Sequence, residues 1–192
     1  VDPLHREYGF LLRLPGNFMP YYTKPPGRLF GIISCAPEVH MHVKEAIEKR
    51  RSYRDLLPAE IDDADLRELA EAARLAPSCF NNQPWRFVFA RSGEARGRLC
   101  AALSRGNEWV QKCSVIAAAF ARKDHDCVIK EREYYLFDLG LAVSALLLRA
   151  TELGLVAHPI AGFDPEAARQ ALGIPEGNMV ITLINVGKKI ED

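Results

Sequence analysis

The chain passes from a helix into a strand through the stretch Ala76-Pro77-Ser78-Cys79-Phe80-Asn81-Asn82-Gln83-Pro84-Trp85. Pro77 cannot continue a helix, and the apolar run Phe87-Val88-Phe89 that follows is typical of a strand. Between the two elements lie one hydroxyl and three side-chain amides. Such groups can hydrogen-bond the polar edge of a flat heterocycle. The stretch therefore predicts a polar loop between a helix and a strand, with the chemistry to contact a ring.

The elements on either side of this loop follow no regular strand–helix–strand alternation. Asp62 predicts the start of the preceding helix, because Asp65 lies three residues further on in the pattern of a capping box. Asp164 followed by Pro165 predicts the start of a later helix. Hydrophobic periodicity adds helices over 43–51, 93–104 and 131–153, and extended segments over 86–91, 114–120, 155–160 and 179–186. The mixture favours an α+β fold over a doubly wound sheet.

The helix predicted over 131–153 is apolar on almost every side. Its longest apolar run, 136–148, is interrupted by Asp138 and Ser144 and is shorter than the roughly 20 residues that a membrane span needs. A buried helix is the better interpretation. Small residues at Gly140 and Ala142 would let another helix approach closely, which suggests a subunit interface as well as a core.

Composition excludes two classes of partner. Lysine plus arginine and aspartate plus glutamate each number 25, so the formal net charge of the 192 residues is zero. A general nucleic-acid or membrane-surface binder carries a basic excess. Any anion site in this chain must therefore be a local cluster of cations.

The five cysteines form no CxxC pair and are odd in number. We expect reduced thiols in a cytoplasmic protein rather than a disulfide framework. The run His125-Asp126-Cys127 contains groups that bind metals, but no second cluster lies at ligand spacing, so we expect a polar loop and no metal site.

Residues 1–40 differ from the rest of the chain. They hold six prolines and no sustained helical period. We interpret 1–40 as an extended arm or as sequence upstream of the natural start, and 41–192 as a single globular domain.

A cluster of cations lies at the end of the first predicted helix, in Arg50-Arg51-Ser52-Tyr53-Arg54. Guanidinium groups bind phosphate through two parallel hydrogen bonds. The alternative is that Arg50 and Arg51 only complement the dipole at a helix C-terminus. No glycine-rich phosphate loop occurs in the chain, so a bound phosphate would be held by side chains.

Taken together, these segments resemble the nitroreductase family of flavin enzymes. The resemblance covers about 150 residues, from Met41 onward, and its parts occur in the family's order. They are the segment 45–54, the segment 76–87, Asp138-Leu139-Gly140-Leu141-Ala142, Gly154-Leu155, and Pro159-Ile160-Ala161-Gly162-Phe163-Asp164-Pro165.

The resemblance implies a central, mainly antiparallel sheet flanked by helices, in an intertwined homodimer with shared sites. It implies an FMN-dependent oxidoreductase that passes hydride from NADH or NADPH, through flavin N5, to nitroaromatic, quinone or other electron-poor acceptors in a ping-pong cycle. The flavin would carry the chemistry, so no catalytic side chain is expected, and neither is a nucleic-acid or membrane partner.

The resemblance also implies roles for particular residues. The FMN phosphate and ribityl chain would contact Arg50, Arg51, Ser52 and Arg54. The loop that packs on the flavin of the other subunit would include Pro77, Ser78, Cys79, Asn81 and Gln83. Pro159, Ile160, Ala161 and Gly162 would lie against the isoalloxazine near N5, Asn107 would contact its pyrimidine edge, and Lys188 or Lys189 would add a phosphate contact.

Two alternatives stay open at the level of sequence. One is another flavin reaction on the same fold, such as reductive dehalogenation or flavin breakdown. The other is a flavin-binding protein without turnover. His158 could donate a proton, but packing is the expected role for it, as it is for Trp85, Tyr134 and Tyr135.

Overall fold

The computed structural model describes residues 11–12, 41–91 and 93–190. Within these ranges the α-helices are α1 Val43–Lys49, α2 Asp63–Arg74, α3 Gly93–Ala101, α4 Tyr134–Glu152 and α5 Pro165–Ala171. The strands in the same ranges are β1 Leu11–Leu12, β2 Leu56–Leu57, β3 Trp85–Ala90, β4 Val115–Ala121, β5 Val128–Ile129, β6 Arg132–Glu133, β7 Val156–Ile160 and β8 Met179–Lys189.

Six of the strands form one sheet, in the order β1-β3-β4-β8. The far edge of β8 is shared by two strands: β7 pairs along Leu183–Gly187 and β2 pairs with Lys188 and Lys189. Each of these pairings is antiparallel, and β5 and β6 form a separate antiparallel hairpin. The predicted α+β fold with a mainly antiparallel sheet is confirmed.

The sheet is buried on both faces. Strand residues alternate between the faces, so Phe87 and Phe89 pack with α2 and α4, whereas Val88 packs with α3 and α5. Strand β4 is buried along its whole length, which explains why its alanine-rich sequence shows no polar alternation. The chain thus forms three layers, with two helices on each side of the sheet.

The element boundaries differ from the predicted ones where turns or pairing intervene. Helix α4 begins at Tyr134, three residues later than expected, because Lys130 and Glu131 adopt the left-handed conformation in the β5–β6 turn. Strand β8 extends to Lys189 because β2 pairs with its last two residues. The capping box between Asp62 and Asp65 forms as predicted.

Helix α4 is long and apolar enough to cross a membrane by length and composition alone. Its buried face, which includes Leu139, Ala142 and Leu146, packs in the core against the sheet and α2. This packing agrees with the prediction of a buried core helix.

The prediction of reduced thiols is wrong for two of the five cysteines. Cys79 and Cys127 form a disulfide, with Cα atoms 6.3 Å apart. They are separated by 48 residues, and nothing in the sequence near either one indicates the other. The fold brings them together because the loop before β3 and the loop after β4 lie at the same end of two paired strands. The cysteines therefore no longer indicate a cytoplasmic location.

Candidate active site

The arginine-rich segment lies in extended chain between α1 and β2. Arg50 Nη1 donates to Ser52 Oγ at 3.3 Å, and Arg51 Nη1 donates to the Arg50 carbonyl oxygen at 2.8 Å. Within the part of the chain that the structure describes, no carboxylate forms an ion pair with Arg50, Arg51 or Arg54. Three neighbouring cations without anionic partners there are suited to a phosphate.

The end of β8 brings a fourth cation to the same segment. Antiparallel pairing places Lys189 opposite Leu56, and the Lys189 ammonium lies 5.2 Å from the ring centroid of Tyr53. Because side chains alternate along a strand, Lys188 points to the other face. Of the two lysines, the geometry therefore favours Lys189 as the neighbour of the arginine segment.

Contacts between the Trp109 and His158 rings connect this segment to β7. His158 Nδ1 lies 2.9 Å from the Tyr53 carbonyl oxygen, and the ring centroids of His158 and Trp109 are 4.8 Å apart. The Arg54 guanidinium lies 6.0 Å from the centroid of Trp109. His158 thus has a packing and positioning role, as expected. The contact of Trp109 with Arg54 and His158 was not predicted, because a single tryptophan forms no sequence pattern that indicates its partners.

The segment 159–162 leaves the sheet next to Asn107. The Asn107 amide Nδ2 donates to the Gly162 carbonyl oxygen at 2.8 Å, and the backbone N–H of Ser104 donates to the same oxygen at 2.9 Å. A Cβ added at Gly162 would clash with Asn107 Nδ2. A side chain at position 162 would displace the Asn107 amide, so glycine allows this close approach without moving it. The structure thus places Asn107 beside the segment 159–162, and both were predicted to contact the flavin ring.

The loop 77–83 has an unusual backbone. Phe80, Asn81 and Gln83 adopt positive φ angles of 49°, 57° and 47°, each of which costs a non-glycine residue on the order of 1 kcal/mol. The Ser78 hydroxyl accepts from the Gln83 backbone N–H at 2.9 Å. Phe80 is 84% exposed, which is unusual for a phenylalanine and leaves its ring free to contact another molecule.

The same loop is bound to two acidic residues. The backbone N–H of Cys79 donates to Asp138 Oδ2 at 2.6 Å, and Asn82 Nδ2 donates to Asp126 Oδ1 at 3.2 Å. Asp138 is only 2% exposed. Burial raises the pKa of Asp138, the neighbouring Asp126 raises it further, and the Cys79 N–H opposes the rise. The loop thus rests on a carboxyl group that is costly to ionise.

The loop and the cation cluster lie at opposite ends of the sheet. Trp85, Ala121 and Met179 are paired across three strands at the loop's end, and Lys189 is ten residues further along β8. At the rise of a strand, the separation is about 33 Å. The structure therefore brings together the arginine segment, Lys189, Asn107 and 159–162, but leaves the loop 77–83 far from Lys189.

The sequence of this chain is similar to the sequences of known proteins. The model of the Nitroreductase family matches residues 47–126 and 107–188. A Thermus thermophilus protein named NADH dehydrogenase is 30% identical over 183 residues, which cover 79% of this chain and 89% of that protein.

Solved structures give the same result. A nitroreductase family protein from Clostridium novyi superposes with a TM-score of 0.74 at 26% identity, covering 79% of this chain and 87% of that one. A structure described as an oxidoreductase containing FMN superposes with a TM-score of 0.67 at 28% identity, covering 76% of each chain.

Proposed function

Because the chain belongs to the nitroreductase family, we propose that it is an FMN-dependent NAD(P)H oxidoreductase. One observation carries the proposal. Arg50, Arg51 and Arg54, which have no carboxylate partner among the described residues, adjoin Lys189 and the glycine-bearing segment 159–162 around the Tyr53–His158 contact. This edge offers cations for a phosphate and open backbone for a ring.

The cation end fits the phosphate of FMN. Arg50, Arg51 and Arg54 supply planar donors, Ser52 supplies a hydroxyl, and Lys189 adds a point charge from β8. The backbone offers no glycine-rich cradle, so these side chains would supply the binding energy. The tilted contact between the Trp109 and His158 rings helps to position Arg54, because the guanidinium lies over the indole ring.

The segment 159–162 fits the ring end. Ile160 is anchored in β7, where its carbonyl oxygen accepts from the Thr182 hydroxyl at 2.9 Å. Ala161 is small and exposed, and Gly162 has no side chain, so a flat ring could approach the backbone closely. Asn107 is already bonded to Gly162 through Nδ2, which leaves its Oδ1 as the acceptor for a pyrimidine edge.

A homodimer with shared sites is part of the proposal. One FMN molecule is much shorter than the distance of about 33 Å that separates loop 77–83 from Lys189 along the sheet. The loop can therefore serve a flavin only at a different site from its own chain's Lys189, and a second copy of the chain would supply that site. Exposed Phe80 at the loop tip suits such a contact.

Bound FMN would supply the redox chemistry, accepting hydride at N5 from NADH or NADPH and then reducing a nitroaromatic, quinone or similar electron-poor acceptor in a ping-pong cycle. The protein's part is to bind and orient. His158 Nδ1 is engaged by the Tyr53 carbonyl oxygen, so we assign that side chain to positioning of the arginine segment.

We also propose a cytoplasmic location, where nicotinamide reductants are available.

The phosphate assignment has a direct test with a matched control. Arg54→Ala should weaken FMN binding by roughly tenfold to a hundredfold, since a hydrogen bond to a charged group contributes about 1.5–3 kcal/mol. Arg67→Ala removes an exposed arginine on α2 and should leave the affinity unchanged. The measurement is flavin fluorescence titration of the apoprotein, and equal affinities for the two variants would contradict the assignment.

A further inference from the structure

The disulfide joins the loop 77–83 to the segment that follows β4. Cys79 begins the turn that contains Phe80 and Asn81, and Cys127 lies next to the β5–β6 hairpin. Asp126, beside Cys127, accepts from Asn82 on the same loop. The covalent bond and this hydrogen bond thus fasten the loop to the same neighbour.

We propose that the Cys79–Cys127 disulfide is a reversible redox switch that holds the loop 77–83 in its flavin-binding conformation. The inference rests on the proposed function for what the loop binds. The redox behaviour of the cysteine pair and the response of the loop can be measured without any flavin.

The backbone of the loop explains why a cross-link matters. Phe80, Asn81 and Gln83 adopt the left-handed conformation, which non-glycine residues keep only where several surrounding contacts hold them in it. Here the disulfide, the Cys79 N–H bond to Asp138 and the Asn82 bond to Asp126 provide that constraint. Reduction removes the covalent part and leaves two hydrogen bonds that involve acidic groups. The loop would then populate other conformations, and flavin binding would have to select the competent one.

The pair is also suited to thiol exchange. Both cysteines are half-buried, as is Cys100, whereas Cys113 is buried. Burial raises the pKa of the Cys100 and Cys113 thiols, which lowers their thiolate fraction and their reactivity. Cys100 and Cys113 are free thiols and serve as comparisons for the cysteine pair.

The exchange itself needs a dithiol reductant. A thiolate of the dithiol attacks one sulfur of the disulfide, which breaks the Cys79–Cys127 bond and forms a mixed disulfide. The second thiolate of the reductant resolves it, so the reductant leaves as a disulfide. Two electrons and two protons are transferred to the protein, and Cys79 and Cys127 become thiols.

The first experiment follows the switch without flavin. Apoprotein is poised in oxidised and reduced dithiothreitol, free thiols are blocked, and peptide mapping reports the state of Cys79 and Cys127. We expect them to convert together and reversibly, with faster amide hydrogen exchange over 77–83 on reduction and unchanged exchange in β4. Irreversible conversion, or a loop whose exchange ignores the redox state, would overturn the proposal.

The second experiment measures FMN affinity after the reductant is removed under nitrogen. Reduced protein and the variants Cys79→Ser and Cys127→Ser should bind FMN roughly tenfold more weakly than oxidised protein, because the loop is no longer preorganised. Cys100→Ser should keep the wild-type response to reduction.

Three results separate the possible failures. Loss of FMN binding in every state would reject the proposed function, while the exchange data alone would still judge the switch. Equal FMN affinity in both states would reject the link between the disulfide and the flavin. Since Cys79, Asp126 and Cys127 place ligand atoms within 4.8 Å of one another, stoichiometric Zn²⁺ retention by the reduced protein would overturn the switch in favour of a metal centre.

Discussion

Asp138 shows how one residue links the core to the candidate site. It lies in the most apolar helix of the chain and is almost fully buried, yet its carboxylate supports the backbone of Cys79. An acidic residue inside an apolar helix is a signal that sequence alone displays, and the resemblance to the family included it. Its partner could not be predicted, because the contact joins residues 59 positions apart.

Asp138 should make stability depend on pH. Because its pKa is raised in the folded protein, the folded state binds the proton more tightly than the unfolded state does. The resulting stabilisation is fully present below about pH 4, near the ordinary pKa of aspartate, and is lost as the pH rises through the folded pKa. Asp138→Asn keeps an acceptor for Cys79 and removes this loss.

Thermal unfolding from pH 4 to pH 8 checks this prediction. We expect Asp138→Asn to melt higher than wild type at pH 8, with the difference shrinking toward pH 4. Asp55→Asn, which changes an exposed carboxylate, serves as the control and should follow the wild-type profile. A wild-type advantage for Asp138 that grows with pH would contradict the assignment.

Gly162 offers a second test at the residue scale. Gly162→Ala would force its new methyl group against Asn107 Nδ2, so we expect a loss of about 1–3 kcal/mol in stability and weaker FMN binding. Gly97→Ala has open space around it in α3 and should instead stabilise the protein by about 0.5–1 kcal/mol. Chemical denaturation and flavin titration of both variants make the comparison. Wild-type stability and FMN affinity in Gly162→Ala would disprove the close approach.

At the scale of elements, helix α4 presents an apolar face that the rest of the described chain does not cover. Leu136 and Phe137 are 45% and 61% exposed, and the small residues Gly140 and Ser144 are exposed one and two turns further on. Residues four apart share a helix face, so this stripe would admit a second helix closely.

If this face joins two copies, a charge in it should separate them. Phe137→Glu places a carboxylate in the stripe, and we expect the dimer to dissociate at least tenfold more readily, with FMN binding lost in parallel. Phe137→Tyr keeps the ring and should remain dimeric. Light scattering coupled to size exclusion distinguishes the outcomes. A glutamate variant with wild-type mass and affinity would show that the interface lies elsewhere.

Element types were easier to predict than their ends. The capping box of α2 and the Asp164–Pro165 start of α5 were correct because both signals are local. The late start of α4 and the extension of β8 depend on a hairpin turn and on pairing with β2, both of which are tertiary features. The pairing with β2, which no sequence signal indicated, brings Lys189 rather than Lys188 to the arginine segment.

At the scale of the whole molecule, the sheet separates the two halves of the candidate site. The arginine segment and 159–162 were predicted from sequence, and the structure brings them together with Lys189 and Asn107. The loop 77–83 was predicted too, but it lies at the other end of the sheet. We propose that a second copy of the chain completes the site, and no pattern within a single chain reveals such a contact.

We propose that this chain binds FMN and reduces it with a nicotinamide dinucleotide. The decisive measurement is the absorption spectrum of the purified protein, reconstituted with FMN and recorded before and after addition of NADH or NADPH under nitrogen. We predict a yellow protein with about one flavin per chain, whose visible absorption is bleached by at least one reductant and restored by a quinone or nitroaromatic. A protein that takes up no FMN, or one whose bound FMN is reduced by neither NADH nor NADPH, would contradict the proposed function.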